Sequence, residues 1–288
     1  MALTRFGLQI PNFTYPGIPD VELFDRIAAI AQTAEASGFD SVWVMDHFYQ
    51  IGPVGPVTDH MFEAYTLLGA IAARTERARL GAMVTGVTYR NPAMLAKMVT
   101  TLDVISAGRA ILGIGAAWNE QEHRGYGFDF PPVGERMDRL EDALRICRAM
   151  FDRPVSSIDG HYHSIAEALN HPLPVSARIP ILVGGGGEHR TLRLVAQYAD
   201  ACNLFGDVAT VRHKLDVLDR HCDEVGRDPA DITKTRLGTI TTMDPDELCE
   251  EAQAFFDTGL DGLVFNMPNA HELEPVAAAG QALRAAFG

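Results

Sequence analysis

The chain has 288 residues, 47% of them hydrophobic and 22% charged, with a formal net charge of −14. That balance belongs to ordinary soluble globular proteins, and the acidic field is unfavourable for nucleic acid and for anionic membrane surfaces. No run of about 18 apolar residues marks a membrane span, and the opening Met1-Ala2-Leu3-Thr4-Arg5-Phe6 lacks the basic and apolar regions of a secretory leader.

Short apolar runs recur near residues 5–10, 40–46, 79–86, 110–115, 179–183, 200–205, 235–242 and 261–266. Most lack strict polar alternation, as strands buried on both faces do, and each is followed by residues at helical spacing. After the first run, Asp20 is placed to cap a helix whose Phe24, Ile27, Ala28, Ala31 and Ala34 form one stripe ending at Gly38. After the third, Asn91-Pro92 offers an N-cap and a proline at the first helical position; Leu95, Met98, Val99 and Leu102 follow, and Gly108 closes the helix. Leu215, Leu218 and Val225 mark a helix that stops at Gly226, and Asp244-Pro245-Asp246-Glu247 is a loose capping box. Two stretches break the rhythm. Residues 117–135 are irregular, and within 152–178 the Asp159-Gly160 pair between β-type residues points to a hairpin. The alternation predicts one α/β domain over residues 1–288, a TIM-type (β/α)8 barrel with short insertions after strand four and before strand five. A doubly wound open sheet is the alternative.

In a parallel barrel, ligands gather at the C-terminal ends of the strands. The second predicted strand ends in Asp46-His47, a carboxylate beside an imidazole suited to proton transfer near neutral pH; a histidine fixed at a strand end for structural reasons is the competing reading. The third is bracketed by Gly81 and Gly86, which a tight stave explains as well as a ligand does. The fourth nearly spells a dinucleotide fingerprint, but Trp118 takes the place of the last glycine and no helix follows directly. The fifth ends in Gly184-Gly185-Gly186-Gly187-Glu188-His189-Arg190. Four glycines between a strand and a helix expose backbone N–H groups at a helix N-terminus, an arrangement that binds phosphate; His189 and Arg190 are placed to add charged contacts. His161, His163 and His171 lack acidic or cysteine partners at ligand spacing and belong to the hairpin surface, so no metal is expected. Cys147, Cys202, Cys222 and Cys249 form no C-x-x-C pair and are expected as reduced thiols in a cytoplasmic protein.

These residues in this order resemble the luciferase-like monooxygenase superfamily, and within it the oxidoreductases that use the deazaflavin coenzyme F420. The likeness runs through Arg5-Phe6-Gly7-Leu8-Gln9-Ile10-Pro11, Val44-Met45-Asp46-His47, Leu80-Gly81-Ala82-Met83-Val84-Thr85, the Arg90 to Lys97 and Thr101 to Arg109 segments, Leu112 to Glu120, the four-glycine turn and Ala199-Asp200. The resemblance implies that His47 handles a proton near the reacting ring carbon, with Asp46 close by. It implies a bulge with a cis peptide within Ala82, Met83 and Val84 that backs the ring, cofactor contacts from Ala116 to Asn119 with Trp118 among them, and a phosphate site from Gly184 to His189 and Arg190. Some sugar-phosphate dehydrogenases of this group carry a glutamate just after strand four, where this chain reads Ala116-Ala117-Trp118, so that acid is missing. Arg90, Arg124 and Arg190 are candidates for the coenzyme's polyglutamate tail.

The expected function is hydride transfer between F420 and a small organic substrate. The alternatives are an FMN-dependent, oxygen-using monooxygenase served by a separate flavin reductase, and a non-catalytic flavin-binding protein. The resemblance also implies a homodimer. The helix through Phe62, Tyr65, Leu68 and Ile71 is compatible with that, although core burial explains its apolar face equally well.

Overall fold

The eight predicted strands close on themselves. In the computed structural model, which describes residues 3–288, β1 (Phe6–Ile10) pairs with β2 (Ser41–Val44), and β2 with β3 (Arg79–Ala82). Next to β3, and continuing its stave as β4 (Thr85–Gly86), runs β5 (Ala110–Gly115). An antiparallel hairpin of β6 (Val155–Ile158) and β7 (Ile165–Leu169) stands outside the barrel. The ring resumes with β8 (Ile181–Gly184), β9 (Ala201–Leu204), β10 (Thr233–Thr239) and β11 (Gly262–Asn266), and β11 pairs back with β1. Every pairing in the ring is parallel, and closure leaves no free sheet edge. The open sheet is therefore excluded. Met1 and Ala2, part of the stretch read against a secretory leader, lie outside the described residues.

The helices form the outer layer: α1 (Leu23–Ser37), α2 (Ala64–Ala72), α3 (Pro92–Ile105), α4 (Glu120–Tyr126), α5 (Val133–Asp152), α6 (Thr191–Tyr198), α7 (Val208–Val225), α8 (Pro245–Phe256) and α9 (Glu274–Phe287). Their apolar stripes and the outward faces of the strands make one continuous core, which takes in Tyr65, Leu68 and Ile71 of α2; Phe62 packs against it. Core burial thus accounts for that face. Inside the barrel a smaller cluster forms around Trp43, Met83, Ile111, Leu182, Ala201 and Val264. Among the described residues no helix is long and apolar enough to cross a membrane, and no His, Cys, Asp and Glu group is arranged to hold a metal.

The caps follow local chemistry with two differences. Asn91 caps α3 by accepting from the N–H groups of Ala93 and Met94, and Gly38, Gly108 and Gly226 adopt positive φ where their helices end. Asp20 does not cap α1. It sits in a 3-10 turn, residues Asp20–Glu22, and its carboxylate faces His60 at 3.4 Å. Asp244 accepts from the Asp246 and Glu247 N–H groups as a cap does, but Glu247 accepts from the Thr242 hydroxyl instead of reaching back. The Asp159-Gly160 turn is longer than a two-residue hairpin loop, since Ile158 faces Ile165.

The stave made of β3 and β4 is broken by a cis peptide between Met83 and Val84. This bulge pushes against its neighbours. A Cβ on Gly113 would lie 2.0 Å from the Ala82 carbonyl oxygen, and one on Gly184 would lie 2.8 Å from a Val84 methyl. The glycines of β5 and the first glycine of the β8 turn are therefore required by the bulge itself, a close approach of backbone to backbone.

Candidate active site

A cavity of about 650 Å³ opens at the C-terminal ends of the strands. Its floor and walls come from every part of the ring: Gln9 on β1, His47 after β2, Val84 at the bulge, Ala116 to Trp118 after β5, and Gly184 to Gly187 at the end of β8. A smaller hollow of about 580 Å³ adjoins it between residues 50–57 and α4, with Trp118 lining both.

His47 is held from behind. Its Nδ1 lies 2.6 Å from Oε1 of Glu122, a side chain with no solvent exposure on α4. Three further donors converge on that carboxylate: the Phe48 N–H at 2.8 Å, the Tyr89 hydroxyl at 3.2 Å and the Asn119 amide. Because a carboxylate only accepts, the ring carries a proton on Nδ1 in this contact, and among the described residues Nε2 has no partner. Trp118 stands edge-on to the imidazole, 5.4 Å between centroids, and is 61% exposed. Ala117, at φ +60°, makes the turn that places it there.

Glu122 was not singled out from the sequence. The resemblance pointed to an acid directly after the fourth strand and found alanines there. The acid beside His47 comes instead from the first turn of α4, where Asn119 both caps the helix, accepting from Gln121 N–H, and donates to Glu122. Asn-x-x-Glu at a helix start is a capping signature and was the available signal.

Asp46 does not touch the His47 ring through a hydrogen bond. It is buried, and Arg90 grips it with two bonds, 2.6 and 3.0 Å, while also reaching Glu63 at 2.5 Å. Burial pushes the Asp46 carboxyl above the usual range, with Arg90 pulling it back; Glu63 ends below its ordinary value, burial being outweighed by bonds from Thr66 and Arg90. The Arg90 guanidinium also lies 4.9 Å from the Tyr65 ring centre. This arginine is committed to the interior and is not free for an acidic tail.

The glycine turn lines the cavity from Gly184 to Gly187 together with Thr191, the first residue of α6. Gly185 donates to the Asn203 carbonyl, while among the described residues nothing accepts from the N–H groups of Gly186 and Gly187. The charged residues that follow face away. Arg190 pairs with Asp138 and the Gly134 carbonyl of α5. Glu188 pairs with Lys214 at 2.6 Å and His213 at 3.1 Å on α7, which hold its carboxyl below the usual range. His189 is exposed. Arg124 is paired along its own helix with Glu120. The turn thus offers backbone donors to the cavity, and its side chains anchor it to the neighbouring helices.

On the side of the bulge, Gln9 donates to the Met83 carbonyl at 3.1 Å, Asn266 donates to Gln9 at 3.5 Å, and the Thr239 hydroxyl donates to Asn266 at 2.6 Å. This polar chain fixes the wall formed by Met83 and Val84. Ala116 lines the cavity, and Asn119 lines only the outer hollow.

The match to the luciferase-like monooxygenase family model extends over residues 4–286. The chain is a member of that family. Among its relatives, the F420-dependent glucose-6-phosphate dehydrogenase of Kineococcus radiotolerans is 37% identical over 165 residues, 56% of this chain and 47% of that protein; the chain therefore matches about half of that relative's length. The phthiodiolone/phenolphthiodiolone dimycocerosates ketoreductase of Mycobacterium sp. (strain JLS) is 32% identical over 269 residues, 86% of this chain and 69% of that one. Among solved structures, an F420-dependent secondary alcohol dehydrogenase in complex with an F420-acetone adduct superposes with a TM-score of 0.83 over 99% of both chains at 18% identity, a likeness of fold.

Proposed function

We propose that this luciferase-like enzyme transfers a hydride between coenzyme F420 and a small organic substrate, with His47 giving or taking the accompanying proton. The observation that carries the reading is the His47–Glu122 pair, which leaves Nε2 bare at the edge of a largely apolar cavity. The names of the relatives from Kineococcus and Mycobacterium support F420 and carbonyl or alcohol chemistry.

The residues present fit such a cofactor. The unpartnered N–H groups of Gly186 and Gly187, beside the start of α6, suit its phosphate. Met83 and Val84 offer a flat apolar backing, braced by Gln9, for a planar ring. Bound there, the deazaflavin supplies a carbon centre that gives or accepts a hydride. The chain's own residues do the rest. Glu122 fixes the tautomer and orientation of His47, so that the ring presents Nε2 to the reacting oxygen. Trp118 covers that position from the solvent side, and the apolar walls exclude water, which strengthens each polar contact inside. Asp46, neutralised by Arg90, anchors the end of β2 behind His47 and belongs to the supporting structure. A homodimer in the cytoplasm is the proposed setting.

Fluorescence titration of the protein with oxidised F420 and, separately, with FMN tests the reading. Micromolar or tighter F420 binding with weak FMN binding supports it. The reverse preference moves the protein to oxygen-using chemistry with a partner flavin reductase, and tight binding of either without turnover of any acceptor leaves a carrier.

A further inference from the structure

We infer that the substrate is an uncharged, largely apolar secondary alcohol or ketone and not a sugar phosphate. The inference rests on the proposed function, because it assigns the N–H groups of the glycine turn to the cofactor and asks what remains for the substrate.

What remains carries no permanent cation. Among the described residues lining the cavity there is neither lysine nor arginine, and the one acidic side chain, Asp46, already has its charge matched by Arg90. A substrate phosphate would bring negative charge to a confined site with no counter-charge and with a carboxylate in its wall, which is a prohibitive desolvation cost. The chain's basic groups near the mouth are spent elsewhere: Arg190 on Asp138, Arg124 on Glu120, Lys214 on Glu188.

The wall on the side of His47 is built by Ile51, Pro53 and Val54 from the segment after β2 and by Trp118 after β5; Phe205 stands at the end of β9. Phe205 and Trp118 are 54% and 61% exposed, large apolar faces turned to the opening. Isolated exposed apolar residues mean little, but here they rim one cavity. A sugar would set several hydroxyls against these side chains without partners, whereas a hydrocarbon body gains from each contact.

The polar atom assigned to the reacting oxygen is Nε2 of His47, left free by the contact of Nδ1 with Glu122. In the reducing direction the carbonyl carbon accepts the hydride, two electrons with one proton, from the reduced deazaflavin. The C=O π bond breaks, a C–H bond forms, and the oxygen takes its proton from Nε2 of the His47 imidazolium, which is left neutral with its remaining proton on Nδ1 toward Glu122. The products are the secondary alcohol and the oxidised coenzyme. Oxidation of the alcohol runs the same step backwards, with Nε2 receiving the hydroxyl proton.

The test begins with calorimetric titration of the full-length protein–F420 complex with cyclohexanol and with glucose 6-phosphate, followed by turnover of each with oxidised F420. Saturable cyclohexanol binding is expected, with a kcat/KM at least about 100-fold above that for glucose 6-phosphate. Going from 2-propanol to cyclohexanol should raise kcat/KM about tenfold or more, in line with the discrimination a methylene brings in an apolar pocket. Val54→Asp, which puts a charge on the apolar wall, should raise KM for cyclohexanol at least tenfold while leaving the Kd for F420 unchanged. Absence of cyclohexanol binding, a preference for glucose 6-phosphate, or an unchanged KM in Val54→Asp overturns the inference and leaves the F420 reading standing. Failure to bind F420 at the start overturns the proposed function and this inference with it.

Discussion

His47 is backed at 2.6 Å by Glu122, a fully buried carboxylate that lies 75 residues further along the chain. One end of the contact comes from the second stave and the other from a short helix after the fourth, so the barrel must close before the pair exists. If Glu122 orients the imidazole, Glu122→Gln should lower kcat about tenfold or more while the ring remains in place, and His47→Ala should cost about 10²–10⁴-fold, the usual worth of a positioned acid or base. The Kd for F420 should change little in both. A Glu122→Gln enzyme with wild-type kcat would remove the carboxylate from the mechanism, and an Asp at this position should recover less than the native Glu because its carboxylate falls short of Nδ1.

Arg90 joins two carboxylates, Asp46 and Glu63. Replacing it by methionine strands Asp46 in a buried position, and removing one partner of such a pair costs about 3–5 kcal/mol. The sign of the pH dependence is fixed by the direction of the Asp46 shift. Burial already holds that carboxyl above its ordinary value of 3.8, and without Arg90 it should rise further. The folded variant then prefers neutral Asp46, so its deficit against the wild type should be greatest near neutral pH and should shrink on acidification. Denaturant melts at neutral pH and in the acid range measure this. A pH-independent deficit would mean that lost packing, not a stranded charge, is responsible.

Glu35 gives the opposite sign. Its carboxylate accepts from the N–H groups of Arg77 at 2.6 Å and Ala78 at 2.7 Å, with Glu76 at 3.1 Å, and so ties α1 to the entry of β3. Burial raises its pKa, but the N–H bonds and Arg77 outweigh burial, and it ends below its ordinary value of 4.5. A lowered carboxyl stabilises the fold above the unfolded value and loses that contribution as pH falls through the folded one. Glu35→Gln should therefore cost about 1 kcal/mol at neutral pH, the low end for bonds to a charged group because water reaches this edge. The gap to the wild type should close below pH 4.5.

How far the sequence could be read depended on the range over which each signal acts. Strand positions and the ends of α3 and α7 are set by apolar runs, proline, asparagine and glycine within a few residues of one another, and the barrel follows from their alternation. His47 and the glycine turn were visible because a strand end and a backbone bare of side chains are local facts. The Glu122 contact, the Arg90 bridge and the turning of Arg190 toward Asp138 depend on pairs 75, 44 and 52 residues apart. A basic residue beside four glycines reads as an anion ligand until the facing helix supplies an aspartate. Likewise, the glycines of β5 nearly spell a dinucleotide fingerprint, whereas the bulge at Met83-Val84 already fills the space they leave.

Those glycines can be sorted by experiment. Gly113→Ala places a Cβ 2.0 Å from the Ala82 carbonyl oxygen in the barrel interior, where backbone must move, and should destabilise the protein by about 2–4 kcal/mol or prevent folding. At Gly186 the nearest neighbour to a new Cβ is the Lys214 side chain at 3.6 Å, an ordinary contact. Gly186→Ala should therefore melt within about 0.5–1 kcal/mol of the wild type, yet bind F420 several-fold more weakly because the methyl group intrudes beside the donor N–H. Equal cofactor affinity in Gly186→Ala would argue against phosphate at this turn.

The cysteines offer a check on the rigidity of the whole barrel. Cys147 and Cys202 are buried, and burial pushes both thiols up to about 12. Cys222 is likewise buried and raised, while Cys249 on α8 is partly exposed and only modestly shielded. A raised thiol stays protonated at neutral pH, and the thiol is a poor nucleophile compared with the thiolate. Under native conditions an aromatic disulfide reagent should therefore titrate one thiol per chain readily and the other three only at the rate of unfolding. Cys249→Ser should abolish the fast phase. Because α8 lies on the outer layer, away from the cavity, modification of Cys249 should leave the Kd for F420 unchanged. A second thiol reacting quickly in the native protein would instead show that the helical layer opens locally without global unfolding, since Cys147, Cys202 and Cys222 are all buried.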